Sequence, residues 1–128
     1  MDHQIIGGGI TLADGTSLPL SKAIRAGDFV FLSGQLGLDG NGKLSGTDVA
    51  LQTRQCLDNI RALLAQVGCG LGQVIKATVW LVERTDFAAF NRVYAEYFPA
   101  QPPVRSTVVS GLVLPGALVE IEVVAYAP

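Results

Sequence analysis

Charge is scarce in this 128-residue sequence: Asp, Glu, Lys and Arg make up 16% of it, against about 25% in ordinary soluble domains. A chain of this length fits one domain, residues 1–128, with a high surface-to-volume ratio to cover. With 49% apolar residues and a mean hydropathy of +0.40, some of that surface is expected to be apolar and buried against other copies of the chain. Histidine is scarcer still. His3 is the only one and lies near the chain start, which disfavours any chemistry built on a Ser-His or Cys-His pair. Cys56 falls inside a helical pattern and Cys69 between glycines, so the two match neither a disulfide framework nor a metal-ligand spacing. No apolar run approaches the roughly 18 residues of a membrane span, and Met1-Asp2-His3-Gln4 lacks the basic and apolar regions of a signal peptide. A cytoplasmic protein with no membrane partner is expected. The net charge of −2 and the scattered Lys and Arg argue against nucleic acid as a partner.

What is present is a clear succession of short elements. Ile5-Ile6 and Ile10-Thr11-Leu12 read as extended pieces around Gly7-Gly8-Gly9. Asp28 to Leu38 is rich in strand formers, and Asp39-Gly40-Asn41-Gly42 predicts a hairpin into Lys43-Leu44. Between Asp48 and Val67 the apolar positions Val49, Cys56, Leu57, Ile60, Leu63, Leu64 and Val67 recur at helical steps, with Thr47 as the expected N-cap and Gly68 as the stop. Val74 to Val82 is a β-rich run. A second helix is expected from about Asp86 to Phe98, with Phe87, Phe90, Tyr94, Tyr97 and Phe98 near one face, ended by Pro99, Pro102 and Pro103. Strands from about Val104 to Val113 and Leu118 to Tyr126, joined around Pro115-Gly116, complete a ββαβαββ order.

This order predicts an α+β fold with both helices on one face of a mixed sheet. Strand parity then assigns the faces. Val119, Ile121, Val123 and Ala125, together with Ile75, Ala77, Val79 and Leu81, should meet the helices. Thr78, Trp80, Glu120, Glu122, Val124 and Tyr126 collect on the other face, a mixture too apolar for water and too polar for a core. Such a face fits a subunit interface holding a site.

Few residues offer chemistry. Gly7-Gly8-Gly9 is followed by no Gly-Lys-Ser/Thr and opens no helix, so it reads as a turn rather than a phosphate cradle. Glu120 and Glu122 stand about 6.6 Å apart by strand rise, a spacing open to two-carboxylate chemistry or to interface ion pairing. Arg105 is the most informative residue: Pro102-Pro103 stiffen the approach to it, and its strand is otherwise Val, Ser and Thr. Two readings are open. Arg105 either pairs with Glu120 or Glu122 on a neighbouring strand, or presents its guanidinium fork to the carboxylate of a small ligand.

Pro103-Val104-Arg105-Ser106-Thr107-Val108, Leu114-Pro115-Gly116 and Val119-Glu120-Ile121-Glu122 carry a resemblance to the RidA/YjgF family. It extends through Ala26 to Gln35, Asp58-Asn59-Ile60, Val74 to Val79 and Phe87 to Phe98, leaving only the first dozen or so residues outside. The resemblance implies a chorismate-mutase-like fold and a homotrimer with the faces opposite the helices turned inward and sites in the clefts between subunits. It also implies hydrolysis of reactive 2-imino or 2-enamino acids to 2-oxo acids and ammonia, as by a 2-iminobutanoate/2-iminopropanoate deaminase. By position Arg105 would hold the substrate carboxylate and Glu120 would orient or activate water, while Ser33-Gly34, Asn91 and the backbone at Thr107 would contact substrate. No metal or cofactor is implied. Leu20 stands where deaminating relatives often carry tyrosine, and Thr107 where the best-known members have cysteine. The loss of a polar tip at Leu20 points to a bulkier apolar imine or to weak deamination. The alternative is a non-catalytic trimer that binds a small carboxylate or a protein client.

Overall fold

The computed structural model describes residues 3–11 and 14–128; Leu12, which was expected to be extended, lies outside the described residues. The strands are β1 (Gln4–Ile6), β2 (Ala23–Ala26), β3 (Phe29–Leu32), β4 (Gln35–Leu36), β5 (Val74–Leu81), β6 (Val104–Val109) and β7 (Val119–Tyr126), and the helices are α1 (Val49–Ala65) and α2 (Phe87–Tyr97). One mixed sheet runs β1-β2-β3-β7-β5-β6, with β4 also paired to β7. Among the described residues only β5 and β6 pair in parallel. Parallel neighbours need a crossover connection, and α2 supplies it, packed with α1 on one face of the sheet.

The core lies between that face and the helices. Cys56, Leu57, Ile60 and Leu64 of α1 and Phe90 of α2 are fully buried against Ala77, Val79, Val119 and Ile121. Each large apolar side chain so buried contributes about 1.5–3 kcal/mol. Gln52, fully buried on α1, donates to the carbonyls of Gly46 (3.0 Å) and Gly116 (3.1 Å) and accepts from the Leu118 amide (2.8 Å). These bonds tie the Pro115-Gly116 turn to the helix.

Several expected boundaries move. Asp48, not Thr47, caps α1: its Oδ1 accepts from the Leu51 amide at 2.8 Å. The principal hairpin joins β2 to β3 through Gly27, whose φ of +60° suits glycine, whereas the Asp39–Gly42 turn closes only the bridge between Leu38 and Leu44. β2 itself was not foreseen. Ile75 does not face the helices, because the β5–β7 register shifts between Val74 and Lys76; Val74 goes inward at 4% exposure and Ile75 outward at 44%. The strand expected to reach Val113 ends at Val109.

Candidate functional site

Arg105 sits in β6 opposite Ala77 of β5, and Ala77 is buried under the helices. Cross-strand partners share a face, so the Arg105 side chain rises on the α2 side of the sheet. There its Cζ lies 4.8 Å from the ring centroid of Tyr94, 5.3 Å from Phe90 and 5.8 Å from Phe87. All three fall within the roughly 6 Å range of cation–π attraction. β6 borders β5 and not β7, which places a whole strand between Arg105 and the two glutamates. The ion pair with Glu120 or Glu122 that the sequence left open is therefore not formed. Among the described residues the ion pairs are Arg54–Glu96 and Asp58–Arg61, neither involving Arg105.

A cavity of about 290 Å³ opens beside this guanidinium, lined by Asn91, Tyr94, Ala95, Phe98, Pro102, Pro103 and Arg105. Among the described residues Arg105 is the one charged group in its wall, and apolar groups form most of the remainder. Thr107, two residues along β6, shares the Arg105 side; its Oγ1 is buried without a hydrogen-bond partner among the described residues.

Glu120 belongs to the other face. It pairs with Trp80 and with Leu36, and its carboxylate occupies the space beside Gly34, where an added Cβ would collide with Oε2. Burial raises the Glu120 pKa above its ordinary value, and the negative charge of Glu122 raises it further. β3 and β4 run along β7 as one interrupted strand. Phe31 faces Val124 and Gln35 faces Ile121, so four steps on one side span three on the other. The extra residue falls in the Leu32-Ser33-Gly34 stretch, the kind of bulge that re-aims side chains beside sites. Ser33 is held there by two bonds: its Oγ donates to the Ser21 carbonyl at 2.6 Å and its amide to the Lys22 carbonyl at 2.8 Å. A second cavity, of about 320 Å³, is lined by Ser21, Ile24, Phe31, Leu32, Ser33, Glu122, Val123 and Val124. Leu20 precedes Ser21, is 42% exposed, and is not among the lining residues.

The seven residues singled out from the sequence thus divide. Arg105, Asn91 and Thr107 lie on the α2 side; Glu120, Ser33 and Gly34 lie on the opposite side, and Leu20 adjoins Ser21, whose carbonyl accepts from Ser33. Within one chain the sheet keeps Arg105 and Glu120 from reaching the same small molecule. The aromatic bed under Arg105 was missed by sequence reasoning, although Phe87, Phe90 and Tyr94 were placed on one helix face. That spacing signals burial equally well, and nothing local says that an arginine will cover it.

Comparison with known proteins agrees with this architecture. The endoribonuclease L-PSP family profile matches residues 13–127. A RutC family protein of Pyrococcus horikoshii is 45% identical over 109 residues, covering 84% of this chain and 86% of the relative. The 3-aminoacrylate deaminase RutC of Acinetobacter baylyi is 41% identical over 121 residues, covering 91% and 96%. The crystal structure of a Rid-family protein of unknown function from Yersinia pestis superposes with a TM-score of 0.87 at 34% identity, covering 98% of this chain and all (100%) of that one. A match that runs almost from end to end, at this identity and with the same mixed sheet and two helices, makes the chain a member of the RidA/YjgF family.

Proposed function

We propose that this protein hydrolyses reactive 2-imino or 2-enamino acids to 2-oxo acids and ammonia, at sites completed by a second copy of the chain. The observation that carries the reading is Arg105: a guanidinium with no ion pair among the described residues, bedded on aromatic rings and open to a cavity. Such a cation retains its paired N–H donors for a ligand carboxylate. Support comes also from relatives named as deaminases, in Acinetobacter baylyi and, as Reactive Intermediate Deaminase A, in Arabidopsis thaliana.

The chemistry asks little of the protein. An iminium carbon beside a carboxylate is already electrophilic, so binding the acid and placing a water gain most of the rate. Glu120 takes a proton from that water as its oxygen bonds to the imine carbon. The protonated Glu120 then passes its proton to the nitrogen of the resulting carbinolamine, and as the C–N bond breaks to release ammonia the hydroxyl proton returns to the Glu120 carboxylate and the C=O forms. An enamine first gains a proton at carbon to become the imine. A carboxyl whose pKa lies above the ordinary range is better matched to this exchange near neutral pH.

Because Arg105 and Glu120 occupy opposite faces, the reading requires an assembly in which one copy brings its α2 side to the β3–β4 break of another; a trimer with the helix-free faces inward is the proposed form. The apolar wall beside Arg105 favours an imine with an apolar side chain over an acidic one. An amino-acid oxidase that generates the imine in situ, with semicarbazide as competing trap, gives the test. Oxo-acid release should accelerate with the parent protein and not with Arg105→Ala; no acceleration for any imine tried, or full activity in Arg105→Ala, refutes it.

The exposed Leu20 favours a second reading, a trimer that binds a small carboxylate without turnover, since an apolar side chain there cannot hydrogen-bond substrate or water. Calorimetry with 2-oxo acids that detects binding where no imine is hydrolysed would establish it.

A further inference from the structure

We infer that Tyr94 is the positioning residue for Arg105, and that its ring, not its hydroxyl, is what sets the affinity of the site for a carboxylate. The inference rests on the reading of Arg105 as the carboxylate anchor. Tyr94 lies nearest the guanidinium, with Cζ 4.8 Å from its ring centroid. The ring is itself fixed, 5.3 Å from Phe90 and 4.7 Å from Phe98 between centroids, and the residue is only 5% exposed. Its hydroxyl has no hydrogen-bond partner among the described residues. A buried tyrosine ordinarily finds one, so here the ring face is the polar contact this side chain makes.

A flexible arginine without an ion pair would sample many rotamers, and ordering it at the moment of binding would cost affinity. Aromatic faces remove part of that cost. They attract the cation without accepting its N–H bonds, so the fork stays aimed and its donors stay free. A carboxylate in the same place would hold Arg105 as well but would compete with the ligand. Phe87, at 5.8 Å and 45% exposed, is the outer edge of the same bed.

Steady-state kinetics on the intact protein, with the imine generated in situ, tests this. Tyr94→Leu should raise KM about tenfold while kcat changes less than about twofold, because the lost contact acts on carboxylate binding. Tyr94→Phe should recover most of that loss. Should Tyr94→Leu fail to fold, Phe87→Leu replaces it, with an expected rise in KM of about twofold at an exposed position. An unchanged KM in the folded leucine variant, or equal damage from Tyr94→Phe, overturns the inference. Calorimetry with pyruvate separates the two levels: affinity lost in Arg105→Ala but kept in Tyr94→Leu sinks this inference alone, whereas affinity kept in Arg105→Ala sinks the anchor reading beneath it.

Discussion

The two faces of the sheet prepare opposite charges by opposite means. On the α2 side a permanent cation is bedded on three rings, with no anionic partner among the described residues. On the other side a carboxylate is pressed against Gly34, partly withdrawn from water and placed near a second carboxylate, which raises its pKa above the ordinary value. On the proposed reading neither half is a site by itself: one would offer binding without a proton acceptor, the other a proton acceptor without an anchor, and a sheet divides them.

Mixing two inactive variants should give the largest effect. Arg105→Ala should lower affinity by about 10²–10³, and Glu120→Gln should lower kcat by about 10²–10⁴. Refolded together in equal amounts they should regain about a quarter of parental activity, since each mixed assembly can join an intact Arg105 from one copy to an intact Glu120 from another. Assay of the mixture against each variant alone decides it; absence of recovery would refute a site shared between two copies.

Gly34→Ala perturbs only the Glu120 half. The new Cβ meets the Glu120 carboxylate, which has to shift. Destabilisation of at most about 1 kcal/mol is expected, because the group displaced is the flexible end of a glutamate, with kcat lowered and carboxylate affinity retained. Denaturant melts beside single-turnover kinetics check both, and loss of affinity instead of rate would show that the two halves are not separable.

The smallest expected effect is on stability. Glu120 has a folded pKa above its unfolded one, so its contribution is present below the unfolded value and is lost as pH rises through the folded value. Glu120→Gln removes that titration. Its Tm should exceed the parent's at pH 7, modestly because solvent screens a part-exposed group, and the difference should vanish near pH 4, about the unfolded glutamate value. Tm measured across that range checks the sign.

Much of the fold was legible because it is written locally. The periodic apolar positions of α1, the β-rich run of β5, the prolines after α2 and the alternation of β7 each depend on neighbours a few residues away. Errors arose where local signals compete. Thr47 and Asp48 are both good caps, and only backbone geometry selects Asp48. A one-residue slip at Val74 reversed Ile75, since parity carries no memory of a bulge. β2 and the Gly27 turn were hidden beside a stronger-looking turn at Asp39–Gly42.

Candidate residues could be named from the sequence, but not their arrangement. Composition and residue type singled out Arg105, and a helical pattern put Phe87, Phe90 and Tyr94 on one face. Their meeting follows from α2 crossing between parallel β5 and β6, which sets the helix over the Arg105 side of that pair. Likewise Glu120 could be assigned to the helix-free face by alternation alone. That Arg105 lies on the other face, one strand removed, was decided by the order β7-β5-β6 and its registers, which arise from long-range pairing that no short stretch of sequence encodes.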